Sequence, residues 1–270
     1  AYEISLGLVG SEMCIRDRGW NVRELLKLMV TSATYQQSSK VNLASVRIDP
    51  ENRWVWRSPT YRWPAEFLRD SALAGSGLLI HQVGGPSVKP YQPPGLWIEK
   101  NNFSAKLKTY QMDSGASLYR RSLYTFIRRT SPPPAMQTLD APNRSVCIVK
   151  RAVTNTPLQA LVLMNDTQFV EAARGLAEGV QRQIDNDLEQ RLTRIFRLLT
   201  GHRPTPDEMN LLKHCHHRNR ERFQQDTDAA NALLQVGESP LDVALSPAET
   251  AALAVVANLG MNSDGFYMKR

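Results

Sequence analysis

The chain reads as a mainly α, irregular multi-helix domain with a long Pro/Gly-rich loop and one or two short strands in its middle. Three observations predict this. Apolar residues recur at helical spacing in several segments, cap-and-proline signals punctuate the second half, and a stretch rich in Gly and Pro breaks the pattern between them. At 270 residues, 42% hydrophobic and 22% charged, the composition is that of a globular protein able to bury a sizeable core.

Residues 1–18, AYEISLGLVGSEMCIRDR, show no periodicity that continues past Arg18, and SLGLVGSEMCIRDR resembles a peptide translated from sequencing-adapter DNA. They are set aside as non-native. A secretory signal does not fit, because Glu3 stands where positive charge belongs and Ile4 to Val9 is too short an apolar region. Residues 19–270 are read as one helix-rich domain, the C-terminal part of a larger protein.

Asn21-Val22-Arg23-Glu24 has the spacing of a capping box and starts a helix through Leu25, Leu28 and Met29, ended by polar Thr31 to Ser39. Asp49-Pro50 opens a short turn or helix bearing Trp54 and Trp56. Pro64 to Leu79 places Phe67, Leu68, Ala72 and Leu73 on an apolar face, a second helix. From Gly84 to about Ser117, Pro86, Pro90, Pro93 and Pro94 deny regular hydrogen bonding, so an ordered loop is expected. Loops this long are uncommon unless functional.

Arg121 to Arg129, RSLYTFIRR, is rich in aromatic and β-branched residues and stopped by Pro132-Pro133-Pro134, which predicts a strand. Beyond Thr154 the chain is helical. Thr156-Pro157-Leu158-Gln159, Thr205-Pro206-Asp207-Glu208 and Ser246-Pro247-Ala248-Glu249 each read as a cap, a first-turn proline and a boxing Gln or Glu. Leu188, Leu192, Ile195, Phe196 and Leu199 make another helix, stopped by Gly201.

The net charge of +7 is dispersed, without the basic stripe and interleaved aromatics of a nucleic-acid binder. No apolar run approaches the ~18 residues of a membrane span. Cys14, Cys147 and Cys215 have no paired spacing, and Cys147 is followed by Ile148-Val149-Lys150, so neither a disulfide framework nor a c-type heme attachment is expected. In His214-Cys215-His216-His217 only His214 and His217 share a helix face; a solvated helix end is the expectation, with no metal site and no cofactor in this chain. Ala74-Gly75-Ser76-Gly77 lacks the first glycine and the preceding strand of a nucleophile elbow.

The polar groups densest in structured sequence are Arg69-Asp70, Arg120-Arg121, Arg128-Arg129, Asp140, Arg144 and Arg151, with Asn155 beside the helix start. Facing one cleft, Arg69, Arg121, Arg129, Arg144, Arg151 and Asn155 would suit the carboxylate or sulfate of an acidic glycan. Asp70 and Asp140 are the weak candidates for acid/base catalysis, with pairing to these arginines as the structural alternative.

SATYQQSS (32–39), DPENR (49–53), EFLRDSALAGSGLL (66–79), GGPSVKPYQPPGLW (84–97), RRSLYTFIRR (120–129), DAPNR (140–144) and VTNTPLQALVLMND (153–166) resemble, as an ordered set, the domain of unknown function 1553. That family is described chiefly from planctomycetes. Trp63-Pro64 departs from its pattern, and the family's aromatic and glycine-rich start is missing. The resemblance implies the C-terminal domain of a long extracytoplasmic protein, following a second uncharacterised domain and often a cytochrome c-like one, so any heme belongs upstream. It carries no catalytic residues over. The expected function is an accessory domain binding a partner domain of the same polypeptide or an anionic glycan; the alternative is a carbohydrate-active hydrolase or redox enzyme.

Overall fold

The computed structural model describes residues 15–98 and 109–269. Cys14, most of the segment 1–18 and the middle of the Gly84–Ser117 loop lie outside the described residues. The chain groups into two compact units, residues 1–61 with 269–270, and residues 62–268.

In the first unit, α1 (Val22–Thr31) starts where expected, with Asn21 Oδ1 accepting the Glu24 N–H at 3.1 Å. A short α2 (Leu43–Ile48) is capped by Asn42. Asp49 makes a turn rather than a helix: its carboxylate accepts the N–H groups of Arg53 and Trp54, each at 2.9 Å, and its carbonyl accepts Trp56 Nε1 at 2.9 Å. Neither α1 nor α2 holds a buried residue, and Leu26 and Met29 are each 54% exposed.

The strands named among the described residues are β1 (Tyr61–Arg62) and β2 (Met268–Lys269), paired with each other. The α-helices of the second unit are α3 (Ala65–Ser76), α4 (Pro134–Thr138), α5 (Pro157–Asn165), α6 (Thr167–Gln183), α7 (Leu188–Thr200), α8 (Pro206–Gln225), α9 (Thr227–Leu234), α10 (Pro247–Met261) and α11 (Asp264–Tyr267). Its centre is α10, which packs on α6, α7, α8 and α9. Ala251, Ala252, Leu253, Val256 and Ala257 are wholly buried, and their small side chains let the neighbouring helices approach closely. At Gly260 a Cβ would stand 2.7 Å from Leu199 Cδ1, so glycine there sets the approach of α7. Against this core α6 lays Phe169, Ala172, Ala173, Leu176 and Val180, and α3 lays Leu68 and Ala72.

Two elements differ from the sequence expectation. Arg121–Arg129 does not form a continuous strand: a 3-10 turn at Ser122–Tyr124 is followed by isolated bridges at Thr125 and Arg128. Val88 makes the first two rungs of a parallel ladder, its N–H to Tyr124 O and its carbonyl to Phe126 N, both at 2.8 Å. The next N–H groups on its side would come from Pro86 and Pro90, which have none, so the ladder stops. The second difference is at α10. Thr156 and Thr205 are boxed by Gln159 and Glu208, at 3.3 and 2.7 Å to their N–H groups, whereas Ser246 makes no side-chain cap bond and Glu249 turns to α8 and α7 instead.

Candidate functional site

The middle of the chain carries four prolines between Pro86 and Pro94, each offering a carbonyl but no N–H. Such a segment has more acceptors than donors. Arginine supplies five donors and no acceptor, and this is where several arginines go. Arg120 donates to the carbonyls of Pro86 (2.8 Å), Gln82 (3.3 Å) and Gly84, with its guanidinium 3.9 Å from the Tyr124 ring centroid. Arg69, buried on α3, donates to the carbonyls of Leu118 (2.6 Å) and Arg120 (2.8 Å), to Ser122 Oγ (3.3 Å) and to Gln168 Oε1. Burial pushes its pKa down to about 10 although Asp70 and Asp166 pull it up.

The remaining candidates are scattered rather than gathered into one anionic cleft. Arg121 lies beside Asp70 at 3.7 Å, Arg151 pairs with Glu66 at 2.7 Å, Arg129 lines a recess with Ser131 and Asn143, and Arg144 sits exposed on a loop with φ +59°. Asn155 lines a small hollow of about 80 Å3 with Arg62 and Gln159. Asp140, at φ +61°, is a structural node. It pairs with Arg62, accepts the Thr154 N–H at 2.7 Å and its hydroxyl at 2.9 Å, and meets Gln159 Nε2 at 3.4 Å. With its lone pairs so occupied it holds the start of α5 to the end of α4.

Asp70 stands differently. One oxygen accepts the Ser122 N–H at 2.7 Å and the other faces Arg121. Around it opens a recess of about 450 Å3 shared with Trp63, Phe67, Ser71, His81 and Arg121. The Trp63 and Phe67 rings are 5.7 Å apart and tilted by 41°, and Phe67 is 52% exposed. Aromatic faces, a carboxylate, a guanidinium and a hydroxyl therefore surround one open space. Adjacent on α3, Arg69 faces a second, more enclosed hollow of about 320 Å3 with Thr125 and Asp166.

Sequence reasoning missed two buried polar networks. Glu171, Arg174 and Glu178 on α6 are under 6% exposed, with Arg174 donating to Ser239 O at 2.8 Å and Glu171 accepting from Tyr119 (2.8 Å) and the Ser239 N–H (2.7 Å). Burial and its bond to Glu171 drive the Tyr119 hydroxyl well above its usual range, and burial pushes the neighbouring Tyr91 up to about 12. The second network corrects the reading of 214–217 as a solvated helix end. His216 lies within α8, is 1% exposed, and meets Glu249 at 3.1 Å, with Arg220 at 3.1 Å and Arg191 at 3.4 Å. Burial pushes the Glu249 carboxyl up, but His216 and the two arginines hold it below its ordinary value. The spacings 171/174/178 and 216/220 were visible in the sequence, but so are those of any solvated salt-bridged face.

Ser76 donates back to Leu73 O at 2.9 Å at the helix end capped by Gly77, which is no nucleophile elbow. No group of three or more His, Cys, Asp or Glu side chains able to hold a metal occurs among the described residues. Nor, among them, is any helix long and apolar enough to cross a membrane.

Comparison with the curated proteins and with the solved structures gives no match. The profile of the family described as "PSD1: Protein of unknown function (DUF1553)" matches residues 12–216, a span that takes in every segment from Ser32 to Asp166 that carries the resemblance and begins within 1–18. It also covers both recesses on α3 and the Asp140 node. Matched over more than half its length, the chain belongs to the DUF1553 family of proteins of unknown function.

Proposed function

We propose that this is a glycan-binding accessory domain of an extracytoplasmic protein, working beside a cytochrome c-like module, and that it takes an anionic sugar in the recess around Asp70. The observation that carries this reading is the grouping of Trp63, Phe67, Asp70, His81 and Arg121 about one open space. A sugar ring has an apolar C–H face for an aromatic wall and hydroxyl donors for a carboxylate. The Arg121–Asp70 contact is long, at 3.7 Å, and Arg121 is half exposed. A pair this long with one partner half in solvent is weak, so Arg121 can exchange Asp70 for a ligand carboxylate or sulfate at little cost.

The hydrolase alternative needs a pair of carboxyl groups flanking the scissile bond in the usual mechanism. Asp70 is the one carboxylate lining this recess among the described residues. Binding is therefore favoured over turnover. Titration of the protein with uronic-acid and sulfated oligosaccharides tests it: Phe67→Ala and Asp70→Asn should each weaken binding about tenfold with the fold retained, and no product should accumulate. Asp140→Ala should lower the melting temperature and leave affinity alone. Absence of binding to every such sugar, or affinity indifferent to both recess variants, would remove the reading.

A partner domain of the same polypeptide is the second reading, favoured by α1, whose Val22, Leu26, Met29 and Val30 are 45–54% exposed. Leu26→Glu should then abolish association of this chain with that separately produced domain in sedimentation velocity.

A further inference from the structure

The 320 Å3 hollow is formed where α3, α4, α5, the start of α6 and the proline-bearing loop meet. Its volume falls at the small end of known ligand pockets. Pro90, Pro133, Leu158, Val162 and Phe169 give it apolar walls, and its polar lining includes Arg69, Thr125 and Asp166. These three are not equivalent. Arg69 has four of its five donors committed to the carbonyls of Leu118 and Arg120, to Ser122 and to Gln168, and Asp70 at 3.8 Å balances its charge.

Asp166 is only half committed. One oxygen caps α6 by accepting the Gln168 N–H at 3.0 Å, and its other oxygen takes none of the described hydrogen bonds. Burial holds its carboxyl above the ordinary value, against the opposing pull of Gln168 and Arg69. Thr125 is 5% exposed, and its buried hydroxyl has no partner among the described residues. A buried hydroxyl left unmet destabilises the fold unless something else bonds to it. An anionic ligand would find at most one open donor on Arg69 and the Asp166 carboxylate beside it, and a ligand without a donor would leave the second oxygen of Asp166 unmet.

We propose that this hollow is a binding site for a compact apolar molecule carrying a primary ammonium group, recognised at its head by Asp166 with Thr125 as a second hydrogen-bonding group. The site is separate from the Asp70 recess and stands or falls without the glycan reading.

Calorimetric titration of the full chain with three probes of one shape tests it: cyclohexylmethylammonium, cyclohexylmethanol and cyclohexanecarboxylate. The ammonium should bind about tenfold more tightly than the alcohol, and the carboxylate most weakly. Asp166→Asn keeps a competent helix cap and should erase the margin of ammonium over alcohol. Thr125→Val should weaken both several-fold, and Val162→Trp, which fills the hollow, should remove all three. A carboxylate that binds best, a margin that survives Asp166→Asn, or no binding by any probe would overturn the proposal. Should Val162→Trp fail to fold, the Asp166→Asn comparison decides by itself.

Discussion

Residues 157–261 and the described residues of 78–155 in the second unit meet the same requirement, that buried backbone polar groups find partners, in opposite ways. The first stretch does so locally, because each helix bonds its own backbone and leaves only its ends to caps such as Thr205 and Asp187. The second has prolines where a ladder would need N–H groups, and its carbonyls are met by side chains from far along the chain, Arg69 reaching residues 49 and 51 positions away. Backbone built from local bonds tolerates the loss of one side chain; backbone held by a distant guanidinium does not.

The largest effect should therefore fall on Arg69→Met, which strands the carbonyls of Leu118 and Arg120 in the interior. We expect a loss of ~3–5 kcal/mol in chemical denaturation. A loss under ~1 kcal/mol, comparable to a surface change, would break the contrast. Gly237→Ala comes next at about 2–3 kcal/mol, because Gly237 has φ +94° and a Cβ would overlap the buried Glu171 carboxyl. A destabilisation within error would mean that the 237–239 loop is not held against α6.

Glu249→Gln should cost about 1–3 kcal/mol at neutral pH. It should also change the acid response. Because the folded-state value of Glu249 lies below its ordinary 4.5, its stabilisation is complete above that value and is lost as pH falls through the lowered one. Wild-type stability should drop across that acid window, and the variant's should drop less; parallel curves would show that the His216, Arg191 and Arg220 cluster is not the source. The smallest effect belongs to the exposed cap, Thr205→Ala, at about 1 kcal/mol, read as a small shift in urea midpoint.

The recognisable parts of the molecule are those whose cause is local. Asn21, Thr156, Thr205 and Gly201 mark helix ends through bonds within four residues, and the proline run marks the loop because a missing N–H is a property of the residue itself. Partners, by contrast, are chosen by packing. The Ser246-Pro247-Ala248-Glu249 signal is indistinguishable from its two siblings, yet α8 brings His216 close enough to take Glu249 away from its cap. Likewise, the arginines between 69 and 151 stand out along the chain, but nothing local says that Arg62 claims Asp140 or that Arg120 turns inward to Pro86.

By itself the sequence determined the helical class, most of the helix starts, the proline-bearing loop and the family, since all of these follow from spacing and residue type along the chain. Only the tertiary structure decided which charges are consumed inside and which stay available. That choice depends on distances between residues tens of positions apart, and it replaces a single cleft of arginines with two hollows on α3, around Asp70 and Asp166.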